Sequence, residues 1–134
     1  MNLEFGNAWN KSTLSSEGVK TGWFVGSFDE IRAGGYNGLR ASDDVEVKWY
    51  EHPKGQESGV RPISKGLSLS ILVDGLFGIW FCEPEPGDDA KPTGDWKQFI
   101  LKDRGDYLIW GPGLFHKWQA IEPSIILSVR PTPG

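Results

Sequence analysis

His116 is one of only two histidines in the chain, and it stands in the stretch GDYLIWGPGLFHKW (105–118), just behind a Gly-Pro-Gly turn. An imidazole titrates near neutrality, so it can ligate a metal, act as a general acid or base, or anchor a ligand by hydrogen bonds. The other histidine, His52, closes the segment VEVKWYEH (45–52), with Glu51 and Glu57 near it in sequence. His116 and His52 are therefore the two imidazoles on which a divalent metal site would have to be built, and a single imidazole does not hold such a metal against water. The acidic segment CEPEPGDDAKPTGDW (82–96) has prolines and glycines between its carboxylates and no calcium-loop spacing, so it reads as a solvated surface loop. Cys82, the single cysteine, has no histidine, lysine or arginine close in sequence to activate it and reads as a packed core thiol.

Short strands must position these groups. Segments rich in β-branched and aromatic residues recur at 22–28, 45–52, 67–75, 76–81, 97–102, 106–110, 115–121 and 124–130, with turn residues between them. In VEVKWYEH, Val45, Val47 and Trp49 share one face, and Glu46, Lys48, Tyr50 and His52 share the other. That pattern fits a half-buried strand or a barrel strand with a polar lumen face. In LSLSILVDG, Ser68, Ser70 and Leu72 lie opposite Leu67, Leu69, Ile71 and Val73, and the small hydroxyls leave room for another group. The Asp74-Gly75 dipeptide between 67–75 and 76–81 predicts a two-residue hairpin that pairs those strands. The segment 28–40 is the one candidate for a short helix, although its glycines favour a loop.

Composition agrees with an all-β chain. The 134 residues suit one domain, taken as 1–134, with a strand-and-loop extension over 1–44 and a barrel core over 45–130. Eighteen glycines and nine prolines suit tight turns, and many short strands without a long helical pattern leave a sandwich or a closed barrel open. A formal charge of -4 without a basic cluster argues against nucleic acid and anionic membrane as partners. The start, MNLEFGNAWNKST, has neither a basic nor an apolar leader region, and no run approaches a membrane span. The expectation is a cytoplasmic protein.

Residues 105–120 resemble the second motif of the cupins, G-x5-P-x-G-x2-H-x3-N. Gly105, Gly113 and His116 match, Gly111 stands at the proline, and Ala120 stands at the asparagine. The first cupin motif, G-x5-H-x-H-x4-E-x6-G, fits in register from Gly55 to Gly75. Both glycines are kept, but Arg61 and Ile63 replace the histidines and Ser68 replaces the glutamate. The resemblance implies an all-β, double-stranded β-helix (jelly-roll) cupin barrel, covering about 45–130. The family's metal site keeps one of its four ligands.

The same resemblance implies that Arg61, Ser68, Ser70 and His116 converge on the lumen, with Trp110, Trp118 and Tyr50 as candidate walls. A guanidinium fork, hydroxyls and indole faces suit a small polar, anionic or sugar-like ligand. The expectation is therefore ligand binding with no cofactor. The alternative is a metal-dependent isomerase or dioxygenase-like cupin using His116, as ligand or as general acid–base, together with His52. By family analogy and the seven tryptophans, the chain is expected to form a homodimer.

Overall fold

The computed structural model describes residues 7–8, 22–29, 31 and 40–131. The short-helix candidate at 28–40 falls mostly outside them. Among the described residues ten strands follow one another: β1 (Trp23–Val25), β2 (Val45–His52), β3 (Ser68–Asp74), β4 (Phe77–Cys82), β5 (Pro84–Glu85), β6 (Asp88–Pro92), β7 (Lys97–Leu101), β8 (Tyr107–Trp110), β9 (Phe115–Ala120) and β10 (Ser124–Pro131). They form a five-stranded sheet in the order β1-β2-β10-β3-β8 and a three-stranded sheet in the order β7-β4-β9, with β5 and β6 as a separate pair. All strand pairs are antiparallel. The segment 82–96, expected as a loop, therefore carries a small exposed hairpin: Asp88–Lys91 face solvent, which suits their charge.

The two sheets enclose one core. Leu72 and Ile126 from the larger sheet meet Phe77, Ile79, Phe81, Leu101 and Ala120 from the smaller one. Fully burying side chains of this size is worth roughly 1.5–3 kcal/mol each before the entropy of ordering them is subtracted. Register assigns the remaining faces. Ile126 pairs with Tyr50 and Leu72, so Glu46, Lys48, Tyr50 and His52 of β2 turn inward, as do Ser68 and Ser70 of β3. The polar face of VEVKWYEH is thus the lumen face, and its aliphatic face is the outside of the barrel.

The expected hairpin at Asp74-Gly75 does not form. β3 pairs with β10 and β8, whereas β4 pairs with β7 and β9, so this turn carries the chain from one sheet to the other. Gly75 has φ 111°. A Cβ there would collide with the Pro123 carbonyl oxygen and come within 2.6 Å of Ser124 Cα. Ser124 Oγ fastens the corner by accepting from Leu76 N–H (3.1 Å) and donating to the Leu76 carbonyl (3.0 Å). Glycine is needed here for close approach between segments, not for a hairpin twist. Cys82 is buried, with Sγ 3.1 Å from Thr93 Oγ1 and accepting from Gly94 N–H at 3.3 Å.

Candidate functional site

His116 is held from both sides of its strand. On one side β9 pairs with β4, placing His116 opposite Phe81, Trp118 opposite Ile79 and Ala120 opposite Phe77, so these three β9 residues face the core. On the other side the segment 55–64 runs antiparallel along β9 as a strap. Gly55 N–H donates to Ala120 O (2.7 Å), Ser58 N–H to Trp118 O (3.1 Å), Arg61 N–H to His116 O (2.8 Å) and Ser64 N–H to Leu114 O (2.9 Å). The Gly/Pro/Ser-rich stretch is therefore bonded to the barrel along its length, and Arg61 is bridged directly to His116.

The turn that aims His116 has its own fastening. Ser64 Oγ donates to Gly111 O at 2.9 Å and accepts from Leu114 N–H at 3.2 Å, while Gly113 N–H donates to Ser64 O at 2.9 Å. Gly113 takes φ 94°, a conformation open to glycine at little cost. Ser64 does not stand out in the sequence, because its role depends on a turn 47 residues away.

At the level of His116 the inner wall is aromatic. The Trp110 ring lies 5.3 Å from the His116 ring and 5.2 Å from that of Phe81. Two polar atoms in this wall, Trp110 Nε1 and His116 Nδ1, are buried without a hydrogen-bond partner. An unpaired buried polar group costs about 1–3 kcal/mol, and here two of them are neighbours. Burial, reinforced by the charge of Arg61, pushes the His116 pKa down from the ordinary 6.5 to about 4. The imidazole is neutral at physiological pH. The Arg61 residue itself is exposed, at the rim rather than deep in the lumen.

Ser68 pairs with Trp110 across β3 and β8, which brings it to the same level. Ser70 is buried (7% exposed) and its Oγ lies 3.3 Å from Ser128 Oγ, a residue the sequence reading did not single out. Further inward-facing charges follow: Lys48, with Nζ 5.4 Å from the Tyr50 ring, and Arg130, which donates to the buried Glu46 carboxylate and lies 4.1 Å from the Trp23 ring. Alternation along VEVKWYEH and SIILSVRP carries the signal for these residues. What it lacks is the knowledge of which face is inside.

The other predicted residues gather elsewhere. His52 is 4% exposed and packs against Tyr50 (4.6 Å), Phe77 (5.2 Å) and Trp118 (4.6 Å, edge-on), and its Nδ1–H donates to Gln56 Oε1 at 2.7 Å. Phe77 and Phe81 are four residues apart on β4, roughly 13 Å of strand. His52 beside Phe77 and His116 opposite Phe81 therefore stand at different levels of the barrel. Tyr50 and Trp118 both pack against the His52 ring, and Trp118 is also the next inward-facing residue after His116 on β9. Among the described residues no group of three or more His, Cys, Asp or Glu is gathered to hold a metal ion. At the positions where the first cupin motif places ligands, this chain offers a guanidinium, an aliphatic group and a hydroxyl. That donor set does not fit a divalent metal.

Solved structures resemble this barrel. A conserved protein of unknown function from Streptococcus pyogenes matches with a TM-score of 0.53 at 22% identity, over 69% of this chain and 68% of that one. A cupin superfamily protein from Desulfitobacterium hafniense matches with a TM-score of 0.52 at 16% identity, over 69% and 71%. The fold is that of a cupin. A cupin-2 domain containing protein from Shewanella frigidimarina matches with a TM-score of 0.50 at 19% identity, over 67% of this chain and 72% of that one. No protein-family model matches the chain, and no curated protein does. No helix among the described residues is long and apolar enough to cross a membrane.

Proposed function

We propose that this cupin barrel binds a small polar, anionic or sugar-like molecule at the His116 level of its lumen, without a metal. The observation that carries the reading is the pair of unpartnered buried atoms, His116 Nδ1 and Trp110 Nε1, on rings 5.3 Å apart. The indole N–H is a donor only, so it needs an acceptor, and the neutral imidazole can donate or accept. Arg61 at the rim and Lys48 and Arg130 on the inner face, against Glu46, favour an anion. Because both atoms lie out of contact with solvent, entry requires the rings or the strap to shift.

His116 acts here as an anchor. A general base works best with a pKa near the working pH, and at about 4 the imidazole binds its proton too weakly for that role at neutrality. The test uses the resolved indole N–H resonances of the protein, with Trp110 assigned through Trp110→Phe and with acetate, inorganic phosphate and glucose as probes. The expected result is a saturable shift of the Trp110 signal with at least one probe, abolished by His116→Ala and weakened by Arg61→Gln. Absence of a shift with all three, or a shift unchanged in His116→Ala, overturns the reading. Stoichiometric Fe, Mn, Ni or Zn in tag-free protein after mild dialysis overturns the metal-free part.

A further inference from the structure

The two sheets leave the barrel open along one side. Among the described residues β7 and β8 are the last strands of their sheets, and no ladder joins them. Register turns Lys97, Phe99 and Leu101 of β7 to the same face as the core residues Phe81, Ile79 and Phe77. Leu101 is buried, yet Phe99 is 36% exposed and Lys97 is exposed as well, so these inward-facing side chains stand at a gap. The gap is a groove of about 390 Å³ lined by Phe99, Ile100, Leu101, Tyr107 and Leu108 and closed at one end by the turn 102–106. That end is fixed, because the Asp106 carboxylate accepts from Lys102 N–H (3.0 Å) and Asp103 N–H (2.9 Å).

The other end reaches the level of His116. Phe81 pairs with Lys97 on one side and with His116 on the other, so the three form one inner row. The Phe81 ring lies 5.9 Å from that of Phe99 in the groove and 5.2 Å from that of Trp110, whose Nε1 is one of the two unpartnered atoms. From Lys97 to Leu101 the groove has about 13 Å of strand along it. Apolar surface thus leads to a pair of buried polar atoms with an ammonium at the mouth.

We propose that the molecule bound at the His116 level is an amphipathic monocarboxylate whose aliphatic or aryl body lies in this groove and whose carboxylate meets Trp110 Nε1, His116 Nδ1 and Lys97. The inference rests on the lumen reading above and narrows its ligand class. A carboxylate presents two acceptor oxygens in one plane, which suits two single N–H donors, and the Lys97 ammonium offsets its charge. Sugar hydroxyls would need partners along the groove, whereas its walls are mainly hydrocarbon and the Asp106 carboxylate at its end is already engaged. The two strand edges share no ladder, so they can part to admit a chain without breaking one.

Titration of the assigned Trp110 indole N–H resonance with acetate, hexanoate and hexanol tests the class. A buried methylene is worth about fourfold in affinity, so covering two of the four that hexanoate adds gives a dissociation constant about tenfold or more below that of acetate. Hexanol, which lacks the charge, is expected to bind about tenfold more weakly than hexanoate. Lys97→Gln is expected to weaken hexanoate about threefold at low salt. Phe99→Ser should bring the ratio of hexanoate to acetate affinity toward one. Should that variant lose its near-UV dichroism, the wild-type complex supplies the same test through nuclear Overhauser contacts between the hexanoate methyl and the Phe99 ring. Hexanoate no tighter than acetate, hexanol equal to hexanoate, or a methyl without contact to Phe99 overturns the amphipathic class, while a Trp110 shift with acetate, phosphate or glucose leaves the lumen site standing. No Trp110 shift with any of these molecules overturns both.

Discussion

The two histidines line one barrel in opposite circumstances. His52 sits in the filled half, with its Nδ1 bonded to Gln56 and three aromatic rings around it. His116 sits in the other half, with Nδ1 unpartnered beside an indole N–H that is also unpartnered. One imidazole has been absorbed into packing, and the other retains unsatisfied hydrogen-bonding capacity. Residue type alone does not separate these roles, because the difference lies in what each ring meets across the lumen.

The largest expected effect tests the filled half. Phe77→Ala removes a ring packed against both His52 and Trp118 and should cost about 3–5 kcal/mol in urea unfolding. Next, Gly75→Ala forces a Cβ against the Pro123–Ser124 backbone in a left-handed conformation, with an expected loss of roughly 2–3 kcal/mol. A change near zero would break the account of the sheet-crossing corner.

Comparing the histidines directly sharpens the contrast. His52→Ala should destabilise by about 2 kcal/mol, whereas His116→Ala should stay within about 1 kcal/mol, since it also removes an unsatisfied atom. The reverse order would dissolve the distinction between the two halves. The remaining contrast is in pH. The folded pKa of His116 lies below its unfolded value, so between about 6.5 and 4 the unfolded chain binds more protons. Stability from this group is full above 6.5 and is lost as pH falls through that window. His116→Gln should flatten the slope of stability against pH there, and an unchanged slope would show that His116 is not held neutral by burial.

Much of the chain is legible locally. The alternation of VEVKWYEH and LSLSILVDG defines β2 and β3, because strand residues alternate faces whatever they pair with. Gly113 and His116 are legible for the same reason: a tight turn and the strand after it are set by neighbours in sequence. The Asp74-Gly75 turn is not legible in the same way, because the preference for a hairpin is local, while the crowding by Pro123 and Ser124 comes from almost 50 residues away.

Spacing and composition were thus enough for the all-β class, most strand positions, the resemblance to cupins and the singling out of His116. Folding alone determined the hydrogen-bonded strap that holds Arg61 beside His116, that Trp110 leaves an unpaired donor there, and that His52, Tyr50 and Trp118 pack together. It also turned the polar face of β2 inward and left an apolar face outside. The physical reason is range: alternation and turns depend on bonds a few residues apart, whereas satisfaction of a buried polar atom depends on strands the chain joins across dozens of residues.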